Sequence, residues 1–367
     1  MGNYQSLKHF FLFFCFLLTN LQAKEHFVTH KVFQVPNEQV WGMSFINSSK
    51  LLFTLKSGKV GLYDMQQGKS TFLYHVKDVV YNGQGGLMDV QISPNFSNDK
   101  TVYFTYVKDI NNLSTVALAR AKLVNEKLID WSDIFISKAR TDTTRHFGSR
   151  ITFDNSGHLY MSIGDRGVRL NAQNRKNHSG SVLRLNLDGS VPNDNPFINS
   201  SNILPHIYSY GHRNPQGLFF DKKRQQLFSS EHGPRGGDEI NQIIKGVNYG
   251  WPVISYGKEY WSPLSVGEGT HKKGMKQPLK VYIPSIAPSS LIVYDGDIFS
   301  SWKGNLFIGA LKMRHLNRIV LDKNNQVIKE ERLLEDLGER IRQVIQSPRG
   351  NIYFSTDSGA IYKIFKE

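Results

Sequence analysis

The sequence predicts an all-β fold, a six-bladed β-propeller built from four-stranded antiparallel blades. Two observations support this prediction: short apolar strands alternate with turn signals along the chain, and one loose phrase of sequence occurs six times. A single blade cannot bury both of its faces, whereas blades stacked in a ring bury them and leave only short outer edges. A pair of β-sandwiches is the alternative architecture.

The repeated phrase consists of an apolar segment, a polar turn and an apolar or aromatic strand that ends in small residues. Its copies lie at 43–58, 89–107, 151–165, 218–233, 294–311 and 344–359. A third strand follows most copies, for example at 60–65 and 181–188. A strand near 26–32 is expected to complete the last blade and to close the ring.

The composition agrees with a β-rich globular protein. The 367 residues include 31 glycines, 23 phenylalanines and 16 tyrosines, and no long apolar run at helical spacing follows the N-terminal segment. Polar insertions at 166–180 and 189–205, and a longer connection at 253–283, interrupt the strand pattern. Loops of this length are usually functional or mobile, so we expect them to rise on one face and wall a pocket over the channel.

The first 23 residues predict a signal peptide. Lys8 is the only charged residue before the apolar run 10–18, and this run is too short to span a bilayer. The mature chain is therefore expected to begin near Lys24 as a soluble periplasmic or secreted protein without a stable membrane anchor. The propeller domain would then occupy residues 24–367.

Cysteine content and charge narrow the chemistry further. Cys15 is the only cysteine and lies within the predicted signal peptide, so the mature chain has no thiol for a disulfide, a metal site or a nucleophile. The net charge of +14 suits a solvated basic surface, an anionic ligand or partner, or nucleic acid. Export argues against nucleic acid, and no basic stripe with interleaved aromatic residues is present.

A histidine and a carboxylate flank the third copy of the repeat. His146 lies in a turn just before a strand, and Asp165 ends the next strand. Strand ends of one blade lie together at one mouth of a propeller, so Asp165 is expected to reach His146 and to fix its tautomer. Such a histidine is a competent general base near neutral pH. A structural His–Asp pair is the alternative, and His178 and His212 are weaker candidates for the base.

Basic residues recur at comparable places in separate repeats. Arg213 follows a strand of the fourth unit and Lys312 follows one of the fifth. Arg340 and Arg342 alternate along the strand that opens the sixth unit, and residues two apart on a strand share a face. Such a cluster would suit a planar polycarboxylate that guanidinium groups can grip. For any single member, surface charge is the simpler explanation.

Two further segments are suited to approach a ligand closely. Gln84 lies in a glycine-rich turn at 83–89, where glycine permits close backbone approach and the amide offers both a donor and an acceptor. The turn at Gly233 and Pro234 presents successive carbonyl groups, which suit a hard cation such as calcium. The sequence has no EF-hand pattern, so these residues leave calcium as one possibility only.

The sequence resembles the soluble quinoprotein aldose sugar dehydrogenases, which are related to the soluble glucose dehydrogenases that use pyrroloquinoline quinone (PQQ). The segments that carry the resemblance are GSRITFD, SIGDRG, HRNPQG, EHGPRGGDEIN, NYGWP and IAPSS. The resemblance runs from about Trp41 to the C-terminus and is strongest over 145–252. It implies a six-bladed propeller, a PQQ cofactor whose three carboxylates lie over the channel, and a calcium ion (Ca²⁺) joined to the cofactor.

The resemblance also implies roles for individual residues. His146 corresponds to the general base, Asp165 to its partner, and the carbonyl groups of Gly233 and Pro234 to calcium ligands. Arg213 is implied to stabilise the negative charge that develops in the reaction. The implied cofactor-binding residues are Gln84, His146, Arg213, Asn214, Lys312, Arg340 and Arg342.

The implied reaction is oxidation of an aldose at C1 to a lactone, with His146 as the base and the quinone as the hydride acceptor. The final electron acceptor stays open, as does the choice between a monomer and a homodimer. His232 and Ile283 replace a glutamine and an aromatic residue of the glucose-specific relatives, which favours a broad range of aldoses. A propeller lactonase or hydrolase and a non-catalytic sugar-binding propeller are the alternative functions.

Overall fold

The structure, a computed structural model, describes residues 25–367 and contains six four-stranded antiparallel sheets. Each sheet is one blade, and the first strand of each blade packs against the first strand of the next until the sixth meets the first. The prediction of a six-bladed β-propeller is confirmed. The predicted signal peptide lies outside the described residues, and within those residues no helix is long and apolar enough to cross a membrane.

The strands are numbered in chain order, and β1 (Phe27–Gln34) precedes the first blade. The first blade contains β2 (Val40–Phe45), β3 (Lys50–Leu55), β4 (Lys59–Asp64) and β5 (Lys69–His75). The second contains β6 (Leu87–Ile92), β7 (Thr101–Ile110), β8 (Leu113–Val124) and β9 (Lys127–Ile136). The third contains β10 (Ile151–Phe153), β11 (Leu159–Ile163), β12 (Ser181–Leu185) and β13 (Ile207–Tyr210).

The second half of the chain continues the same order. The fourth blade contains β14 (Pro215–Asp221), β15 (Gln226–Glu231), β16 (Asp238–Ile243) and β17 (Lys280–Tyr282). The fifth contains β18 (Pro288–Val293), β19 (Leu306–Ala310), β20 (Leu316–Leu321) and β21 (Val327–Leu333). The sixth contains β22 (Ile341–Gln346), β23 (Ile352–Thr356) and β24 (Ala360–Lys366). The short helices are α1 (Phe96–Asp99) and three 3₁₀ turns, Arg169–Gln173, Ser300–Trp302 and Glu335–Leu337.

The sixth blade is completed by the N-terminal strand. β1 pairs antiparallel with β24 from Phe27 opposite Lys366 to Gln34 opposite Ala360, and the sheet order is β1-β24-β23-β22. The predicted closing strand near 26–32 is therefore confirmed. Both ends of the described chain lie in this one sheet, and the pairing of β1 with β24 closes the ring.

The core lies between the blades, so strands near the channel are covered on both faces. β19, Leu306–Ala310, is buried along its whole length, as is β11, Leu159–Ile163. Burial on both faces explains why these strands are near-continuous apolar runs and why the repeated phrase is visible in the sequence. The outermost strand β5 is largely exposed and mixes polar with apolar residues.

The insertions do not all lie on one face. The insertions at 166–180 and 253–283 meet at one mouth, where the Arg169 guanidinium binds the Glu259 carboxylate at 2.6 and 2.7 Å. The expectation for 189–205 was wrong: this loop lies at the other mouth, because β12 runs away from the first mouth before the loop begins. The end of the longer connection is β17, whose three residues of mixed polarity gave no strand pattern.

Candidate functional site

The candidate site lies at one mouth of the channel, where turns that precede the first strands meet turns that follow the second strands. Because the first two strands of each blade are antiparallel, the turn before the first strand and the turn after the second lie at the same mouth of the channel. A cavity of about 270 Å³ opens at this mouth. The lining includes Trp41, Lys56, Gln84, Asn214, His232, Arg340, Arg342 and Asp357.

His146 and Asp165 form the predicted pair. His146 Nδ1 lies 2.6 Å from Asp165 Oδ1, and the histidine side chain is 12% exposed whereas the aspartate is 1% exposed. Asp165 Oδ1 also accepts the Gly167 N–H at 2.7 Å, and Oδ2 accepts the Trp251 indole N–H at 2.7 Å. A carboxylate only accepts hydrogen bonds, so Nδ1 of His146 carries the proton and Nε2 keeps its lone pair.

The electrostatics of the pair favour a neutral histidine. Burial and the positive charge of Arg213 lower the pKa of His146 below its ordinary value, although the hydrogen bond to Asp165 opposes them. Burial would raise the pKa of Asp165, but the hydrogen bond and charge of His146 hold that pKa below its ordinary value. At neutral pH the pair is therefore an imidazole with a free Nε2 beside an ionised carboxylate.

The backbone around His146 is fixed from several sides. His146 has a φ of 57°, and its N–H donates to Gln84 Oε1 at 2.7 Å. A Cβ on Gly164 would lie 2.2 Å from the His146 carbonyl oxygen, so glycine is required at this position. Asn214 Oδ1 accepts the Gly148 N–H at 3.2 Å. Gln84 and Asn214 thus hold the turn that carries the histidine.

Arg213 lies between β13 and β14, so it follows a strand of the third blade and precedes the fourth. Its guanidinium donates to the His232 carbonyl at 3.1 Å and to the Tyr260 hydroxyl at 3.3 Å, and it lies 5.4 Å from the Trp251 ring centroid. Its backbone N–H donates to Glu231 Oε2 at 2.9 Å. These contacts hold a buried positive charge beside the His146–Asp165 pair.

A second cationic group surrounds the cavity on the side of the sixth blade. Asp357 accepts hydrogen bonds from Arg340 Nε and Arg342 Nε, each at 2.8 Å. Lys56 also lines the cavity, and burial together with the charge of Arg342 lowers the pKa of its ammonium group. The cavity therefore has three cationic side chains and one carboxylate, which binds two of them, so an excess of positive charge remains.

The turn at Gly233 and Pro234 lies beside the same mouth. The Gly233 N–H and the Ser285 hydroxyl both donate to Asp238 Oδ1, at 2.8 and 3.0 Å, and the Ala287 N–H donates to Asp238 Oδ2 at 2.8 Å. Burial raises the pKa of Asp238 to about 6. Asp238 thus shapes the turn, and within residues 25–367 no group of three or more His, Cys, Asp or Glu side chains is arranged to hold a metal ion.

A family model described as Glucose / Sorbosone dehydrogenase matches residues 37–363, a span that contains this whole site. The chain belongs to the glucose/sorbosone dehydrogenase family. Aldose sugar dehydrogenase YliI of Escherichia coli (strain K12) is 36% identical over 357 residues, covering 95% of this chain and 95% of the relative. Quinoprotein glucose dehydrogenase B of Acinetobacter calcoaceticus is 27% identical over 409 residues, covering 90% of this chain and 83% of the relative.

Solved structures agree with this assignment. The PQQ-bound form of the aldose sugar dehydrogenase from Streptomyces coelicolor superposes with a TM-score of 0.76 at 25% identity, covering 94% of this chain and 99% of that chain. As a member of the glucose/sorbosone dehydrogenase family, the protein is an oxidoreductase. The resemblance deduced from the sequence segments is confirmed.

The predicted residue Lys312 and the two weaker candidates for the base, His178 and His212, lie outside the cavity lining. Lys312 is exposed and does not line the cavity, although its neighbour Leu311 does. His212 is fully buried, with ring nitrogens 2.9 Å from Ser209 Oγ and 3.1 Å from Glu231 Oε1. His178 accepts the Lys138 N–H and is 1% exposed. Neither of the weaker candidates for the base lines the cavity.

Sequence reasoning missed Lys56, Trp251 and Asp357. Lys56 and Asp357 directly follow the second strands of their blades, whereas Asp165 is the second residue after the second strand of the third blade. Aligning the six repeats by the end of the second strand would have drawn attention to both residues. Trp251 lies in the turn after the third strand of the fourth blade, so an alignment of the repeats would not have found it. Its contact with Asp165 joins residues that are far apart in the sequence.

Proposed function

We propose that the protein oxidises aldose sugars at C1 to lactones with PQQ as its cofactor and calcium as its metal. The observation that supports this proposal is the His146–Asp165 pair, at 2.6 Å, beside a cavity with excess positive charge. A base next to an anion-binding cavity suits a reaction that removes a proton from the substrate while an anionic cofactor accepts electrons. The predicted signal peptide would place the reaction in the periplasm or outside the cell.

His146 supplies the base in this proposal. Its Nε2 lone pair would take the proton of the anomeric hydroxyl, and Asp165 would stabilise the imidazolium that forms, through Nδ1. Because the pKa of His146 is lowered, the imidazole is neutral at neutral pH and the Nε2 lone pair is available. Arg213 would stabilise negative charge that develops near the reacting carbon.

The cationic cavity fits a polycarboxylate cofactor. Arg342, Arg340 and Lys56 bring three positive charges to the cavity wall against the single carboxylate of Asp357. These side chains would hold the carboxylates of PQQ, and Gln84 and Asn214 would contribute amide groups. When bound, the quinone would accept the two electrons that leave C1 of the sugar as a hydride.

The Gly233–Pro234 turn offers the oxygen ligands that calcium prefers, although only from backbone carbonyl groups. The Gly233 N–H is already bound to Asp238, which fixes the orientation of the turn. These two carbonyl groups would hold a calcium ion, and such an ion would polarise a carbonyl oxygen as a Lewis acid.

The alternative of a lactonase or hydrolase has less support. A calcium-activated water would need convergent free carboxylates, but the carboxylates near the channel already have partners. Asp89 binds Arg150 Nη1 at 2.7 Å, Asp165 binds His146, and Asp357 binds two arginines. A non-catalytic sugar-binding protein would have no need of a buried His–Asp pair.

Reconstitution tests the proposal. The purified apoprotein is incubated with PQQ and calcium, with each alone, and with neither, and reduction of an artificial electron-accepting dye is followed with a panel of aldoses. We expect dye reduction only with both additions, and we expect a lactone as the product. Lactone hydrolysis without the quinone, or sugar binding without turnover in the reconstituted protein, would contradict the proposal and favour one of the alternatives.

A further inference from the structure

A belt of buried hydroxyl groups joins the blades close to the mouth that contains the candidate site. In five blades a serine or threonine of the second strand donates a hydrogen bond to a backbone carbonyl group at the start of the next blade. The second strand of the fifth blade has Gly309 instead, and Ser289 of the first strand donates to the Ile341 carbonyl of the sixth blade at 2.8 Å. Every blade is therefore linked to the next. The hydroxyl groups of the belt belong to Thr54, Thr105, Ser162, Ser230, Ser289 and Ser355.

Ser162 is the belt residue that joins the segments of the site to one another. Its hydroxyl donates to the Pro215 carbonyl at 3.0 Å and accepts the Arg150 N–H at 3.1 Å. Asp165 follows on the same strand end as Ser162, and Arg150 ends the segment that begins at His146. Pro215 directly follows the arginine and asparagine of the site. One hydroxyl group therefore links the three segments that carry the base, its carboxylate partner and the buried arginine.

Ser162 acts on the site only through the backbone, because it is fully buried and does not line the cavity. Pro215 has no N–H group, so its carbonyl is the only backbone group through which a hydrogen bond can hold it. The Arg150 side chain provides a second connection, since its guanidinium binds Asp89 at 2.7 Å and the Gln216 carbonyl at 3.3 Å. Loss of the hydroxyl should therefore loosen the alignment of the third and fourth blades without separating them.

We propose that Ser162 is a positioning residue whose hydroxyl group aligns His146 with Asp165 and with Arg213. The distance from His146 Nδ1 to Asp165 Oδ1 is 2.6 Å, so a small shift of either segment would change this hydrogen bond. Displacing a reacting group by about 1 Å can lower a rate roughly a hundredfold, even when the substitution lies away from the chemistry. The kinetic consequence rests on the proposed function, whereas the alignment itself does not.

Other members of the belt indicate which substitution should preserve this role. Thr105 accepts the Asp89 N–H at 3.0 Å and donates to the Ser149 carbonyl at 2.6 Å, so it makes the same two hydrogen bonds as Ser162, one blade earlier. Thr54 does likewise in the first blade. Threonine is therefore compatible with this position of a blade. Ser162→Thr should keep both hydrogen bonds, whereas Ser162→Ala loses both.

NMR signals of the His146 side chain test the proposal in the apoprotein at neutral pH. We expect a far-downfield Nδ1–H proton, the mark of a short hydrogen bond, in the wild type and in Ser162→Thr. In Ser162→Ala we expect this signal to move upfield and to exchange faster with water. In the reconstituted protein at saturating PQQ and calcium, Ser162→Ala should lower kcat about tenfold with less change in KM, and Ser162→Thr should restore it.

Ser355→Ala is the matched control. Ser355 is equally buried and donates to the Val40 carbonyl at the same distance of 3.0 Å, but it joins the sixth blade to the first, on the opposite side of the ring. We expect this variant to lower the denaturation midpoint, as Ser162→Ala does, while leaving the His146 signals unchanged. The same change of signals in both variants, or no change in either, would overturn the proposal.

The test keeps folding and function apart. If Ser162→Ala does not fold, Ser162→Cys takes its place, because a thiol fills the same position but is only a weak donor, and the same outcomes decide. If no form of the protein oxidises an aldose but the His146 signals depend on the Ser162 hydroxyl, only the proposed function fails. If those signals do not depend on the hydroxyl, the positioning role is wrong, whatever the activity.

Discussion

Replacing Asp165 with asparagine puts two hydrogen-bond donors in conflict. Asp165 accepts N–H groups from His146 and Gly167 on one oxygen and from Trp251 on the other, at 2.6, 2.7 and 2.7 Å. An asparagine amide has one oxygen and one NH₂ group, so in either orientation the NH₂ faces a buried N–H. If it faces His146, the histidine must move its proton to Nε2 and loses the lone pair that acts as the base.

The size of the effect follows from these contacts. One unsatisfied buried donor costs about 1–3 kcal/mol, so we expect Asp165→Asn to lower the free energy of unfolding by that amount. With the NH₂ group at the Oδ1 position, the conflict with the Gly167 N–H remains after the histidine has changed tautomer, and in the other orientation the NH₂ group opposes the Trp251 N–H. Each orientation therefore keeps one conflict, and part of the population keeps the productive tautomer. We therefore expect kcat to fall by roughly 10–10²-fold, less than when the base itself is removed.

Removing the indole N–H should relieve the conflict. In Asp165→Asn/Trp251→Phe the amide NH₂ can face the phenyl ring without opposing a donor, and its oxygen stays available to His146 and Gly167. We expect the double variant to be more active than Asp165→Asn, with a coupling free energy of about 1–3 kcal/mol in both activity and stability. Trp251→Phe alone should destabilise the protein, because it removes a hydrogen bond to a buried carboxylate.

Three measurements check this prediction. Denaturant unfolding gives the stability cycle, dye reduction at saturating PQQ and calcium gives the activity cycle, and ¹⁵N NMR gives the His146 tautomer. Asp154→Asn is the matched control, because Asp154 lies 3.1 Å from His158 in a His–Asp pair at the other mouth. Additive effects of the two substitutions would refute the reasoning, as would an unchanged His146 tautomer population in Asp165→Asn.

Other predictions follow from the same site. His146→Gln should lower kcat by about 10²–10⁴-fold at saturating PQQ, since glutamine cannot take a proton; dye reduction after direct measurement of bound cofactor checks this. The pKa of His146 lies below its ordinary value, so kcat/KM should hold at neutral pH and fall only as the pH drops below about 6.5, which a pH profile would show. Arg342→Ala should weaken PQQ binding roughly tenfold to a hundredfold in calorimetry, and more than Arg340→Ala, because Arg342 is buried whereas Arg340 is exposed. A calcium chelator should abolish tight PQQ binding if Gly233 and Pro234 hold a bridging ion, and unchanged binding would remove that role.

The fold was predictable because the repeated phrase of sequence falls on the most buried strands of the blades. Five of the six copies cover strands one and two of a blade, and the copy at 294–311 covers only the second strand of the fifth blade. These strands are largely buried on both faces and rich in apolar residues. The outer strands were harder to find because one face meets solvent. β21, Val327–Leu333, contains two glutamates and a lysine, and β17 has only three residues, so neither has the pattern of a buried strand.

The site was partly predictable for a related reason. His146 lies in the turn before the third repeat copy, Asp165 ends that copy, and Arg342 lies on the first strand of the sixth blade, so the repeat order brings all three to one mouth. Trp251 could not be placed, since its contact with Asp165 depends on how the fourth blade's insertion folds back over the third blade. Lys312 shows the converse: it lies just after a second strand, as Lys56 and Asp357 do, but its side chain is exposed and does not line the cavity.

The pairing of β1 with β24 has a consequence for how the chain is made. Phe27 lies opposite Lys366, so nearly the whole polypeptide must be synthesised before the first strand finds its partner. Until the ribosome releases the last residues, β1 is an unpaired strand and the sixth blade lacks its outer edge. Contacts so distant in sequence form slowly, and unpaired strand edges invite association with other chains. Until the ring closes, the edge of the incomplete sixth blade is therefore open to pairing with strands of other chains.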